Sequence, residues 1–171
     1  LILYGGLTLS EAAALKWKDV DLQAGEISVR RFTQESRDEG QEHRISVKTA
    51  SGRRERTVPI PRKLTEHLKK LRSEYGGEGE DYVVRTREPG PVNTGRLRVQ
   101  LCRRSEKAGL GRITPRILRD TYAMHAIRAG AASDMVAELM GFASVQQVTK
   151  RYMSGSPRGK RELIERMYEE E

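Results

Sequence analysis

Apolar positions along the chain fall into two rhythms. Leu7, Leu15 and Trp17 bracket an Ala12-Ala13-Ala14 run that Ser10 and Glu11 open, which predicts a helix from Ser10 to about Trp17 after a Gly5-Gly6 turn. Over residues 20–61 the period drops to two. The segments 26–32, 44–48 and 56–60 each alternate, so a small sheet of three strands is expected, with a polar loop at 33–42 and a turn at Ala50-Ser51-Gly52. Helical spacing returns with Leu64, Leu68 and Leu71, giving an amphipathic helix over 62–72 that Gly76-Gly77-Glu78-Gly79 breaks. Tyr82-Val83-Val84 reads as a short buried strand and Glu88-Pro89-Gly90-Pro91 as a rigid loop. Asn93 or Thr94 then caps a helix to Lys107 with Leu97, Leu101 and Cys102 inward.

Residues 113–152 read as three short helices in series. Thr114 before Pro115 supplies a capping hydroxyl and a proline where the missing N–H costs nothing, and Gly130 ends that helix. Ser133 with Asp134 opens the second, whose buried side is Met135, Val136, Leu139 and Met140, and Gly141 stops it. Ser144 starts the third, which turns Val145 and Val148 inward and closes on Tyr152. After a break at 153–157, residues 158–170 form a terminal helix.

Composition narrows the function classes. A chain of 171 residues, 33% charged and 36% hydrophobic, is expected to form one domain with its own core. No run of about 18 apolar residues indicates a membrane span, and the one cysteine excludes an internal disulfide framework and suits a reducing cytoplasm. No Cys or His cluster and no glycine-rich phosphate loop is present, so neither metal nor nucleotide cofactor is implied; His43, His67 and His125 are scattered surface or helix-face residues. The net charge is +8, and residues 85–128 hold eleven Lys or Arg against three acids, while the chain ends Glu169-Glu170-Glu171. A basic middle points to a polyanion; a solvated basic face without a ligand is the competing reading. The first residues, LILYGGL, read as the stump of a truncated helix, with no visible signal peptide.

Several separated motifs together resemble the catalytic domain of the tyrosine recombinase, or phage integrase, family. They are GGLTLSEAAALKWKDVDL near the start, VKTASGRRERTVPIP on the hairpin, Thr114-Pro115-Arg116-Ile117-Leu118-Arg119, Leu139-Met140-Gly141-Phe142, and Tyr152 at a helix end. The resemblance spans residues 5–152. It implies a mainly helical α+β catalytic domain with a small antiparallel three-stranded sheet over residues 1–171, lacking the amino-terminal core-binding domain.

The same resemblance implies roles. Tyr152 is the nucleophile, Arg119 a phosphate clamp, and Lys48 the acid for the leaving 5′ oxygen, with Arg116 where the family has a histidine. Arg53, Arg54, Arg56, Arg112, Lys150 and Arg151 are expected on DNA. For Lys48 the plainer alternative is a basic hairpin gripping phosphates, and for Tyr152 ordinary packing at a helix end. Three positions depart from the family's pattern: Thr8 stands at the first catalytic arginine, Arg116 at the first histidine, and Phe142 at a histidine or tryptophan. A phenol of pKa ~10 is a poor nucleophile without help, and losing one preorganised phosphate donor costs about 3 kcal/mol. Thr8 is the serious loss, since a short neutral hydroxyl does not do a guanidinium's work; Arg116 is long enough to be considered for the vacated place.

Two readings therefore stand at this point. One is a site-specific recombinase of a mobile element, cutting and rejoining double-stranded DNA through a 3′-phosphotyrosine with activity impaired at Thr8. The other is a recombinase-like DNA-binding module without turnover. A protein-interaction scaffold built on the terminal helix leaves the arginine surplus unexplained. In the family such a tail couples protomers on DNA; packing on its own domain, or fraying, is the alternative.

Overall fold

The computed structural model describes residues 1–36, 44–85 and 90–153, apart from the side chains of Arg44 and Arg53. The expected terminal helix at 158–170 and break at 154–157, His43, most of the 33–42 loop and Glu88-Pro89 lie outside the described residues. The elements run α1 (Ile2–Gly5), α2 (Leu9–Ala14), β1 (Val20–Asp21), β2 (Glu26–Val29), β3 (Arg31–Ser36), β4 (Arg44–Thr49), β5 (Arg56–Pro59), α3 (Arg62–Tyr75), α4 (Thr94–Lys107), α5 (Pro115–Arg128), α6 (Ser133–Met140) and α7 (Val145–Val148). A π-helical turn, Thr149–Met153, follows α7 and carries Tyr152.

The antiparallel three-stranded sheet is assembled differently from the sequence expectation. Its order is β1-β2-β5, with Ile27 opposite both Val20 and Val58. The alternating run after Glu26 switches partner at Arg30: its first half pairs with β5, its second with β4 in a separate two-stranded ribbon. The cause lies between β4 and β5, where a 3-10 turn at Gly52–Arg54 replaces a tight hairpin and carries the chain from one pairing to the other.

Helix ends follow local chemistry. Asn93 accepts from the Arg96 amide at 2.8 Å and Thr114 from the Ile117 amide at 3.2 Å, with Pro115 in the first turn. Gly141 ends α6 in the left-handed region at φ 65°. Two placements differ from the pattern. Trp17 is buried but lies in a 3-10 turn after α2, and Met135 is 53% exposed because α6 turns Val136, Ala137 and Met140 inward instead.

Among the described residues two apolar clusters result. One gathers Leu7, Leu15, Trp17, Ile27, Val29, Val58, Leu64 and Leu68 from the amino-terminal helices, sheet and α3. The other gathers Ala123, Val136, Ala137, Met140 and Val148, with Tyr122, Phe142 and Tyr152 packed against it. The site described next lies on the seam between them.

Candidate active site

Thr8 is the N-cap of α2. Its hydroxyl accepts from the Glu11 amide at 3.1 Å, and the Glu11 carboxylate accepts from the Thr8 amide at 2.8 Å, a reciprocal capping box. Glu11 is buried, and its carboxylate is gripped by the buried Arg56 through Nη1 at 3.1 Å and Nη2 at 3.2 Å. Burial alone would raise the Glu11 carboxyl, but hydrogen bonding and charge from Arg56, with help from the Thr8 amide and Arg119, hold it below the ordinary carboxylate value.

Arg56 is expected from the sequence among the DNA contacts, and the fold corrects this. Its Nε donates to the Leu139 carbonyl at 2.8 Å and Nη1 also reaches the Arg54 carbonyl at 3.1 Å. With Glu11 filling the rest of the fork, the guanidinium serves the seam and presents no free face to a phosphate.

Arg119, on α5, is the second strap across the seam. Nη1 donates to the Gly6 carbonyl at 2.7 Å and Nη2 to the Met140 carbonyl at 2.5 Å, and Nη1 stands 4.0 Å from Glu11 Oε2. Its side chain is only 14% exposed, and burial lowers its pKa from the usual arginine value despite the facing Glu11. Gly6 sits at φ 63° against the Tyr122 ring, which lets its carbonyl meet Arg119.

Arg119 also lines an open cavity of about 590 Å³, whose walls include Thr8, Ser10, Phe32, Arg54 and Phe142. The Arg54 guanidinium is stacked 5.1 Å from the Phe32 ring centroid. Lys48 is exposed and directly opposite Phe32 in the ribbon, so it stands on the same face of that ribbon. Its side chain is not part of the cavity wall. Among the described residues the fold thus brings Thr8, Arg54, Arg119 and Phe142 together, with Lys48 on the neighbouring ribbon.

Tyr152 lies behind Phe142. The two rings meet edge to face with centroids 6.2 Å apart, and Arg119 stands 5.3 Å from the Phe142 centroid. The Tyr152 hydroxyl donates to Asp120 Oδ1 at 2.7 Å. Burial, then the hydrogen bond and negative charge of Asp120, push the phenol up to about 12, outweighing Arg151 and Arg119.

Arg116 stands away from Thr8. Its side chain is 76% exposed, 3.7 Å from Asp120 Oδ2, and it does not line the cavity. The guanidinium groups that share the cavity with Thr8 are those of Arg54 and Arg119. Arg151 donates to Asp120 Oδ1 at 2.6 Å and lies 5.3 Å from the Tyr152 ring. Arg112 and Lys150 are exposed, and the Arg53 side chain is outside the described residues.

Sequence reasoning missed Asp120 and the structural use of Arg56. Asp120 has a faint signal: it follows Arg119 and lies four residues beyond Arg116, a spacing that faces two helix side chains together. Arg56 has none, since its partner Glu11 is 45 positions away.

Known proteins match this chain along most of its length. The model of the phage integrase family matches residues 1–157. A tyrosine recombinase XerC of Xylella fastidiosa is 26% identical over 173 residues, covering 94% of this chain and 52% of its own. A tyrosine recombinase XerA of Thermococcus kodakarensis is 31% identical over 148 residues, covering 85% and 46%. The chain spans about half the length of the curated relatives it matches. The crystal structure of a XerA recombinase superposes with a TM-score of 0.72 at 22% identity, covering 98% of this chain and 55% of that one. The Tn1549 transposon integrase in complex with transposon right end DNA gives 0.77 at 16% identity, covering 96% and 56%. These likenesses show the fold, a tyrosine recombinase catalytic domain.

Proposed function

The chain belongs to the phage integrase family, and on that premise we propose that it binds double-stranded DNA and breaks and rejoins it through a 3′-phosphotyrosine on Tyr152. The cavity on the seam takes the scissile phosphate, with Arg119 and Arg54 donating to its non-bridging oxygens. The Tyr152 oxygen attacks phosphorus, the bond to the 5′ oxygen breaks, and Lys48 supplies the proton that oxygen needs. Residues 1–171 act as one catalytic unit in the cytoplasm, and assembly of copies on DNA through residues 158–170 is part of the same proposal.

The observation that carries this reading is that Arg119 and Tyr152 both contact the Phe142 ring, beside an open cavity. Thr8 and Phe142 limit the rate. Thr8 is a short neutral hydroxyl tied as acceptor into the α2 cap, and Phe142 has no N–H or O–H to donate to phosphate. Thr8 and Phe142 in the cavity wall, in place of charged phosphate donors, favour the second reading, a DNA-binding module without turnover.

A pool of nicked suicide duplexes of randomised sequence separates the two. Incubation with the native chain, Thr8→Arg and Tyr152→Phe is followed by denaturing electrophoresis for protein joined to DNA. An adduct with the native chain that Tyr152→Phe lacks is the expected result. An adduct only with Thr8→Arg means an intact apparatus stalled by one missing donor. DNA binding without an adduct from either chain makes the module the correct reading.

A further inference from the structure

Tyr152 is the nucleophile in the proposed reaction, yet nothing in that proposal removes its proton. The geometry points to Asp120: we infer that its Oδ1 accepts the Tyr152 proton as the phenolic oxygen attacks phosphorus. This role rests on the strand-transfer reading above and adds to it the base that the reading lacks.

Four contacts support it. The Tyr152 hydroxyl already donates to Oδ1 at 2.7 Å, inside the range a proton crosses without rearrangement. Arg151 donates to the same oxygen at 2.6 Å, and Arg116 stands 3.7 Å from Oδ2, so the carboxylate is oriented from two elements, α5 and the π-helical turn. The Phe142 ring meets Tyr152 edge to face and packs against the phenol. The charged groups facing the phenol are Asp120, Arg151 and Arg119, and those facing Asp120 are Arg116 and Arg151.

The timing of the transfer follows from the same contacts. A carboxylate beside the phenol opposes a free phenolate, and with the hydroxyl held up to about 12 very little ionises at neutral pH. Proton transfer must therefore accompany attack. The O–H bond breaks toward Oδ1 as the oxygen–phosphorus bond forms, and the bond from phosphorus to the 5′ oxygen breaks as Lys48 protonates the leaving group. Rejoining runs in reverse, with the 5′ hydroxyl attacking and Asp120 returning the proton to Tyr152. The step changes no oxidation state.

The test compares native chain with Asp120→Asn and Asp120→Glu on the nicked pool, with DNA binding followed in parallel by mobility shift. Asn keeps the shape and a hydrogen-bond acceptor but takes no proton. Adduct formation is expected to slow by about a hundredfold or more at neutral pH with DNA binding retained. Between about pH 7 and 9 it should then climb roughly tenfold per unit as solvent base supplies phenolate, while the native rate changes little; Asp120→Glu should regain part of the loss. If Asp120→Asn reacts as fast as native, or faster, the contact is a latch and the inference is wrong.

Should Asp120→Asn fail to fold, the native chain is run on the same pool with a bridging sulfur in place of the 5′ oxygen, a leaving group that needs no acid. Slowing in heavy water on that substrate supports the transfer to Asp120, and its absence overturns it. The strand-transfer reading fails separately, when native chain and Thr8→Arg bind the pool but form no adduct, and the role of Asp120 then falls with it.

Discussion

Arg56 and Glu11, 45 residues apart, form a buried bidentate ion pair that fastens the strand β5 to the cap of α2. Both side chains are almost fully enclosed, at 4% and 7% exposure, so each charge depends on the other for its solvation. The same guanidinium holds the Leu139 carbonyl and thereby joins the two apolar clusters.

Removing one partner strands the other. Glu11→Ala is expected to destabilise the fold by about 3–5 kcal/mol, read as a drop in the urea midpoint. The acid side follows from the sign of the shift. Glu11 has a folded pKa below its unfolded one, so its stabilisation is complete above the ordinary carboxylate value and is lost as pH falls through and below it. Thermal unfolding of native chain and Glu11→Gln should therefore converge under acid.

Thr8 exchanges stability against chemistry. Thr8→Arg puts a guanidinium into the cavity but removes the capping hydroxyl, a loss of about 1 kcal/mol and a lower melting temperature by about 2–4 °C. Thr8→Ala should lose the same stability and Thr8→Ser should keep it. The arginine variant alone is expected to gain adduct, by about a hundredfold.

Gly6 holds the backbone carbonyl that Arg119 uses. A Cβ there would lie 2.6 Å from the Tyr122 ring, at a φ of 63° that L-residues resist. Gly6→Ala should cost at least about 1–2 kcal/mol by chemical denaturation. Adding Tyr122→Leu should recover the steric part of that loss and leave the backbone part.

The Tyr152 phenol should remain protonated until about pH 12. The difference in phenolate absorbance between native chain and Tyr152→Phe isolates it from the other tyrosines. Because its folded pKa lies above the unfolded ~10, its contribution to stability is intact below that value and is lost as pH rises through it toward about 12. Phe142→Ala opens one wall to water and should bring the titration down.

DNA binding should weaken steeply with salt, since the expected contacts are to phosphate. Arg54→Ala should lower the slope of log affinity against log salt by about 0.9, the loss of one contact. Arg56→Ala should leave the slope unchanged in folded protein and show its effect in stability.

The sequence by itself determined what short-range chemistry governs. The caps at Asn93 and Thr114 are hydrogen bonds across three residues, and the stop at Gly141 is one backbone conformation, so both are readable from the residues alone. The order of motifs is likewise a property of the sequence alone, and it matches the phage integrase family over residues 1–157. Tertiary structure decided the rest. Alternation marked strand in residues 26–32 but neither its continuation to Ser36, in a stretch that reads as loop, nor the switch of partner at Arg30, because periodicity carries no pairing information. It also decided which arginines are free. Arg53, Arg54 and Arg56 are near neighbours in one basic run, yet Arg56 is buried on Glu11 while Arg54 stands at a cavity wall. Arg119 reaches Gly6 over 113 residues and Tyr152 reaches Asp120 over 32. Such pairs exist because two apolar cores pack against each other, and the polar groups caught at their seam must find partners there or lose the solvation that water gave them.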